Sequence, residues 1–292
     1  MPFTHLLLAL SVVFVWGTNF VVIKWALADL PPFLFAALRF IFCIVPWMLF
    51  IPRPAVPWRT LAGVGLCIGV GQFGLMYWAM RQDISAGLAS LVVQTQVFFT
   101  IFLVAAVRGE RTPALQKYAL VLAAAGYGVV AWRSATDPAA AVTPLGLLLV
   151  LAAGLSWAGS NLLVRGVGRV NMLGLMVWSS AFAILPLLAI SLALEGPALI
   201  AHALPNAGAG AWAAVLWQAL GNTLYGFGVW NWLLARHPAA TVTPMGLLIP
   251  LFGMLASALL LAEPLPAWKL AAACLVMAGL ALNVYAGRRA QG

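Results

Sequence analysis

Apolar runs of about twenty residues dominate the chain, and they restrict its fold more than any other feature. Of the 292 residues, 64% are hydrophobic and 7% are charged, whereas soluble domains average about 45–50% apolar and about 25% charged residues. So few charges cannot cover a surface that faces water. Because about twenty mostly apolar residues suffice for a helix to cross a bilayer, the runs predict an all-α integral membrane protein.

Proline, glycine and charged residues separate the apolar runs into ten predicted spans. We place the spans near residues 5–24, 33–52, 61–80, 86–107, 114–132, 145–165, 172–194, 211–235, 239–262 and 266–286. The first run lacks the charged start and small-residue cleavage site of a secretory signal, so it is predicted to remain as span 1. Only the segments near 134–144 and 195–210 are long enough to be linkers, which leaves a single transmembrane domain.

The basic residues predict the orientation of the spans. Ten of the 15 Lys and Arg side chains fall on the side that holds both termini, and five fall on the other side. Because Lys and Arg bias short loops toward the cytoplasm, we expect a bacterial-type inner membrane protein with both termini inside. The formal charge of +9 is spread over many loops, so it forms no clustered basic face for a nucleic-acid partner.

Two local matches indicate that the chain repeats. Segments 16–24 and 157–165 align without gaps and pair Trp16 with Trp157. A second match pairs Glu110, Pro113 and Gly126 with Glu263, Pro266 and Gly279. Repeat 1 covers about 1–133 and repeat 2 about 145–287, and five spans per half require opposite orientations of the two halves. Inverted repeats are typical of secondary transporters, which bind their substrate near the midplane between the repeats.

Together these features resemble a known family. Ten spans in two repeats, Trp16 before Gly17, Arg39 in span 2 and Gly109 before Glu110 resemble the EamA-type members of the drug/metabolite transporter superfamily. The chain looks most like the bacterial exporters of aromatic and other amino acids. The resemblance implies that spans 1–4 and 6–9 surround a central cavity while spans 5 and 10 brace the outside. Repeat 2 departs from the family pattern, because Ala262 stands where a glycine is expected before Glu263.

Aromatic and amide side chains inside the spans are the candidate substrate-binding residues. In spans 1 and 6 helical spacing groups Trp16 with Asn19, and Trp157 with Ser160 and Asn161. Rings can stack on a substrate while amides bind its polar groups, which is the usual mixture in a small-molecule pocket.

In span 8, Gln218, Asn222 and Tyr225 follow an i, i+4, i+7 spacing that places them on one face. That face is either a cavity wall or a set of hydrogen bonds between helices.

Further candidates lie in spans 3, 4 and 9. Gln72 stands in the glycine-rich span 3. Gln94 and Gln96 are two residues apart in span 4, so one is expected to face the cavity and the other a neighbouring helix; the family resemblance favours Gln96.

Three residues have two open interpretations each. Trp78 and Trp230, near span ends, are either gate residues or members of the interfacial aromatic belt. Pro244 places either a moving gate or a static kink in span 9.

Charged residues narrow the possible mechanisms. Arg39 must lie within span 2, about two turns from its outer end, where it either extends to the interface or attracts a substrate carboxylate. All six acidic residues map to span ends or loops, which favours movement of the solute down its gradient over tight ion coupling. No cluster of His, Cys, Asp and Glu has the spacing of a metal or catalytic site, so we expect no cofactor, no metal and no enzyme.

The sequence and the resemblance together predict a secondary transporter that exports small neutral or aromatic amino acids by alternating access. Lipophilic drugs or other metabolites are alternative substrates. A nucleotide-sugar antiporter fits less well, because phosphates are recognised by Arg and Lys and we expect a cavity without a mid-span cation. A channel is a further alternative, and saturable flux would separate it from a carrier.

Overall fold

The computed structural model describes residues 1–109, 113–168 and 170–289, and these ranges are almost entirely helical. Within them, nine helices are long and apolar enough to cross a membrane, and a bent helix pair completes a set of ten. The predicted all-α membrane fold is therefore confirmed. Spans 1 to 10 are Phe3–Asp29, Pro32–Leu49, Trp58–Gln82, Ala86–Val107, Ala114–Thr136, Pro144–Arg165, Met172–Glu195, Ala209–Arg236, Thr243–Leu260 and Ala267–Arg289.

The chain before span 8 differs from the expected linker. Residues Pro197–Asn206 form a short helix that is bent by 99° from span 8. Gly196 precedes it with a positive φ of 84°, and Pro197 occupies the first helical position, where the missing N–H costs nothing. This local start signal explains why a segment that resembles a linker in composition folds as a helix.

The third span of each half contains a stretch of wide π-helical turns. These stretches are Leu66–Gly74 in span 3 and Trp217–Tyr225 in span 8. In span 8 the Thr223 hydroxyl donates to the carbonyl oxygen of Gln218, five residues earlier, at 3.0 Å. Because π-type bonding runs from i to i+5, side chains in these stretches do not follow ordinary helical spacing.

The fourth span of each half is interrupted. Span 4 consists of two helices, Ala86–Val92 and Thr95–Arg108, that meet at a turn. Span 9 begins with the 3₁₀ segment Thr243–Leu247 and continues as the helix Leu248–Leu260. Ordinary α-helical spacing of side chains therefore does not extend across these breaks.

Spans 5 and 10 pack against each other through two glycines. A Cβ atom on Gly126 would lie 2.8 Å from the carbonyl oxygen of Ala272. One on Gly279 would lie 2.7 Å from the carbonyl oxygen of Ala119. The contact is reciprocal, and the absence of both side chains lets the two backbones approach closely.

Candidate functional site

A cavity of about 570 Å³ lies inside the bundle. Its described wall comes from spans 1, 3, 4, 6, 8 and 9 and from one end each of spans 5 and 10. Seven of the sequence-predicted residues line it: Trp16, Asn19, Gln72, Gln96, Trp157, Asn222 and Trp230. Ligand pockets commonly have volumes of about 300–1,000 Å³, so the cavity has the size that a small organic solute requires.

Trp16 joins spans 1 and 8 beside the cavity. Its indole Nε1 donates a hydrogen bond to the carbonyl oxygen of Asn222 at 3.0 Å. The ring centroid lies 5.5 Å from that of Phe227 and 5.3 Å from that of Trp230. The indole is thus fixed in orientation, and it presents an aromatic surface to the cavity.

Three amides in the wall retain their hydrogen-bonding capacity. In the described part of the chain, the side chains of Gln72, Gln94 and Asn222 make no hydrogen bond to protein, although each is at least 94% buried. Buried polar groups normally have partners. Amides turned into a cavity without protein partners can bind the polar groups of a solute.

Gln94 and Gln96 both line the cavity. The expectation that only one of them does so is wrong, because span 4 is interrupted between Val92 and Thr95 and ordinary helical spacing does not hold there. Asn161 lies behind Gln96: its amide nitrogen donates to Gln96 Oε1 at 2.9 Å and to the Thr100 hydroxyl at 3.1 Å. Asn161 therefore positions Gln96 and is absent from the described wall.

Gln218, Asn222 and Tyr225 do not share a face, contrary to the sequence-based expectation. Gln218 is fully buried and donates to Asn19 Oδ1 at 2.8 Å. The Tyr225 side chain is 37% exposed, and its hydroxyl forms a hydrogen bond with Ser11. The π-helical turns of span 8 separate the three side chains, and only Asn222 reaches the cavity.

Three further candidates also lie outside the described cavity wall. Ser160 is 98% buried between helices. Trp78 packs against Phe33 with the ring centroids 5.3 Å apart. Pro244 lies in the 3₁₀ segment whose neighbours Thr243 and Gly246 line the cavity.

Arg39 does not extend to the interface. Only 1% of its surface is exposed, and its guanidinium donates to the Tyr77 hydroxyl at 2.8 Å and to the Thr223 hydroxyl at 2.9 Å. The ring of Phe73 lies 3.8 Å below the guanidinium carbon and separates it from the main cavity.

At the end of the bundle opposite the termini, two carboxylates connect neighbouring spans. Glu263 accepts hydrogen bonds from the backbone N–H groups of Ala86 and Gly87, at 2.8 and 3.1 Å, where span 4 begins. Glu195 accepts from Phe33 and Leu34 in the same way at the start of span 2. Negative charge is stabilised at helix N-termini, so both carboxylates hold neighbouring spans together at this end.

The sequence analysis did not predict that Glu195 and Glu263 connect neighbouring spans, because in the sequence they appear only as acidic residues at span ends. The pairing of Glu263 with Glu110 in the repeat was the available signal. Glu110 itself lies outside the described residues.

The cavity opens toward the end that carries both termini. Gln116 near the start of span 5 and Asn283 and Gly287 near the end of span 10 line this part of the wall. The expectation that spans 5 and 10 only brace the outside is therefore wrong at this end. Spans 2 and 7 contribute no residue to the described wall, although the resemblance implied that they would.

No group of three His, Cys, Asp or Glu side chains in the described ranges could hold a metal ion. The wall is instead built from aromatic rings, aliphatic side chains and amides. Its chemistry is that of reversible binding by stacking and hydrogen bonds.

Comparison with known proteins gives relatives over nearly the whole chain. A probable amino-acid metabolite efflux pump of Salmonella typhimurium is 41% identical over 285 residues, which cover 96% of this chain and 95% of the relative. A protein of the same description from Escherichia coli strain K12 is 39% identical over 95% of this chain and 94% of its own length. A solved crystal structure covers 100% of both chains with a TM-score of 0.64 at 17% identity, which shows the shared fold alone.

The family model described as the EamA-like transporter family matches residues 3–132 and 144–285. This match confirms the resemblance that was based on Trp16, Arg39 and the ten spans. The chain belongs to the EamA-like transporter family.

Proposed function

We propose that the protein exports small neutral or aromatic amino acids across the bacterial inner membrane by alternating access. The observation that carries the proposal is the cavity of about 570 Å³, in which tryptophan rings face amides that have no protein partner in the described chain. The two relatives described as probable amino-acid metabolite efflux pumps support efflux of an amino-acid metabolite.

The wall suits a neutral solute with an apolar side chain. Trp16 and Trp157 offer aromatic faces, and Gln72, Gln94 and Asn222 offer donors and acceptors within the same cavity. Among the described wall residues, Arg288 alone is charged, and it lies near the end of span 10. An amino acid would place its side chain among the rings and its amino and carboxylate groups among the polar groups.

The direction of loading follows from the open end. The described wall extends to residues at the end with both termini and includes none from the Glu263 end, and the terminus-bearing end also has the larger share of Lys and Arg. Because positive loops face the cytoplasm, we assign the structure to the state that loads from the cytoplasm. Export would then require the Glu263 and Glu195 contacts to open while the opposite end closes.

The acidic residues give no support for a buried coupling site. Within the described ranges, no Asp or Glu side chain lines the cavity. Movement of an accumulated amino acid down its gradient needs no coupled ion. We therefore propose facilitated export.

The proposal is tested in liposomes that contain the purified protein and labelled phenylalanine or leucine. We expect saturable efflux that falls at least severalfold in Trp157→Ala. The matched control is Trp132→Ala, because Trp132 lies on span 5 with 67% of its surface exposed and outside the described wall. Absence of efflux for every amino acid tested would overturn the proposal and would favour lipophilic drugs or other metabolites as substrates.

A further inference from the structure

A second, much smaller cavity lies beside the main one, and four buried polar side chains form part of its otherwise apolar wall. Its volume is about 10 Å³, roughly the space of a single water molecule. Arg39, Thr223, Ser179 and Ser180 line it, and none of the four is more than 3% exposed. We call this group the Arg39 niche.

The charge of Arg39 has no acidic partner among the described residues. Its two hydrogen bonds go to the neutral hydroxyls of Tyr77 and Thr223, and its Nε atom has no partner there. A charged side chain inside a membrane span is costly and commonly serves a substrate or ion pathway. The two hydroxyls accept hydrogen bonds from two of the guanidinium nitrogens, but being neutral they do not balance its positive charge.

Phe73 separates the niche from the main cavity. The rings of Phe73 and Phe227 and the side chain of Ile68 line both cavities. Phe73 stands in the π-helical stretch Leu66–Gly74, and only 8% of its surface is exposed. A rotation of the Phe73 side chain would join the two cavities and place the guanidinium in contact with a bound solute.

We propose that the Arg39 niche binds the carboxylate of the transported solute after the Phe73 ring turns aside. This inference rests on the proposed function and narrows its substrate class to compounds with a free carboxylate. A guanidinium recognises a carboxylate through charge-assisted hydrogen bonds. Amino-acid amides and lipophilic cations offer no carboxylate to the guanidinium, and its positive charge repels their cationic groups, so they are expected to be poorer substrates.

Leucine and leucinamide form the test pair, because they share a side chain and an amino group and differ in the carboxylate. We expect efflux from liposomes with at least about a tenfold higher kcat/KM for leucine, the size that one charge-assisted hydrogen bond gives. Arg39→Gln removes this preference and Arg39→Lys retains part of it. Arg53→Gln is the matched control, since Arg53 also lies 3.8 Å from an aromatic ring, that of Trp58, but outside both cavities.

Phe73→Leu tests the same inference with Arg39 in place, in case Arg39 variants fail to fold. Because Phe73 also lines the main cavity, we expect the KM to change for both compounds, but severalfold more for leucine than for leucinamide. Equal changes for both compounds would show that Phe73 is only part of the wall and would overturn the proposal.

Replacement of chloride by gluconate in the assay buffer tests whether the Arg39 niche binds the carboxylate of the substrate or an inorganic anion. Leucine efflux independent of chloride is expected. Efflux that requires chloride and loses this requirement in Arg39→Gln would assign the niche to chloride and overturn the proposal. Equal efflux of leucine and leucinamide by the unaltered protein would overturn the proposal that Arg39 binds the carboxylate, but it would not contradict amino-acid export. Absence of efflux for every amino acid would overturn both proposals.

Discussion

Glu263 lies 3.5 Å from the ammonium group of Lys269 while its two oxygens accept hydrogen bonds from the start of span 4. One carboxylate thereby connects the turn between spans 9 and 10 with a helix from the other half of the chain. The side chain of Glu263 is 13% exposed. At this depth a charge-assisted contact is worth more than an ion pair on the surface.

Glu263→Gln is expected to destabilise the closed end. Glutamine keeps one acceptor oxygen but loses the charge that favours the helix N-terminus and Lys269, at a cost of about 1–2 kcal/mol. The apparent melting temperature in detergent should fall. Asp137→Asn is the matched control, because the Arg133–Asp137 pair is more exposed and surface pairs contribute about 0–1 kcal/mol. Equal melting temperatures of the two variants would contradict the role assigned to Glu263.

Gly279→Ala is expected to separate spans 5 and 10. The new Cβ atom would lie 2.7 Å from the carbonyl oxygen of Ala119, which is backbone and cannot rotate away. Overpacking of this kind costs about 1–3 kcal/mol. Thermal unfolding in detergent measures the loss. Gly128→Ala, in span 5 with nothing within 4 Å of the new atom, is expected to leave stability unchanged or slightly higher.

The sequence was sufficient to locate the spans because span location depends on composition. A run of about twenty apolar residues has no alternative to crossing the bilayer as a helix. Several tryptophans and amides of spans 1, 3, 4 and 6 were also predicted to line a cavity: Trp16, Gln72 and Trp157 line one, whereas Asn161 lies behind Gln96. Their placement followed from position along the span and needed no exact rotational angle.

Rotational detail was not predictable, because local helix geometry departs from the ordinary α-helix at the site. Tyr225 was placed beside Asn222 on the assumption of regular spacing, but the π-helical stretch Trp217–Tyr225 rotates it away from the cavity. Nothing in the sequence of this stretch marks the wider turns. The position of Gln94 was not predictable for the same reason, because Gln94 lies at the break in span 4, where regular helical spacing does not apply.

Asn161→Leu is expected to weaken transport indirectly, because it removes the residue that positions Gln96 but no residue of the described wall. The variant loses the hydrogen bonds to Gln96 and Thr100, each worth about 0.6 kcal/mol inside a membrane protein. Gln96 then turns more freely, and the KM for leucine should rise a fewfold in liposome efflux. The rise should be smaller than in Trp157→Ala, and a larger rise would show that Asn161 contacts the solute itself.

Cysteine labelling checks which end of the cavity is open. Gln116→Cys introduces a thiol in the wall near the terminus-bearing end, whereas Ser85→Cys introduces one at the closed end, where Ser85 is 8% exposed. We expect a membrane-impermeant thiol reagent to label position 116 rapidly in inside-out vesicles and position 85 slowly in right-side-out vesicles. The native cysteines Cys43, Cys67 and Cys274 are first replaced by serine or alanine so that only the introduced thiol reacts. Addition of leucine should slow labelling at position 116, because a solute in the cavity blocks the reagent. Rapid labelling at position 85 without leucine would contradict the proposal that the Glu263 end is closed in this state.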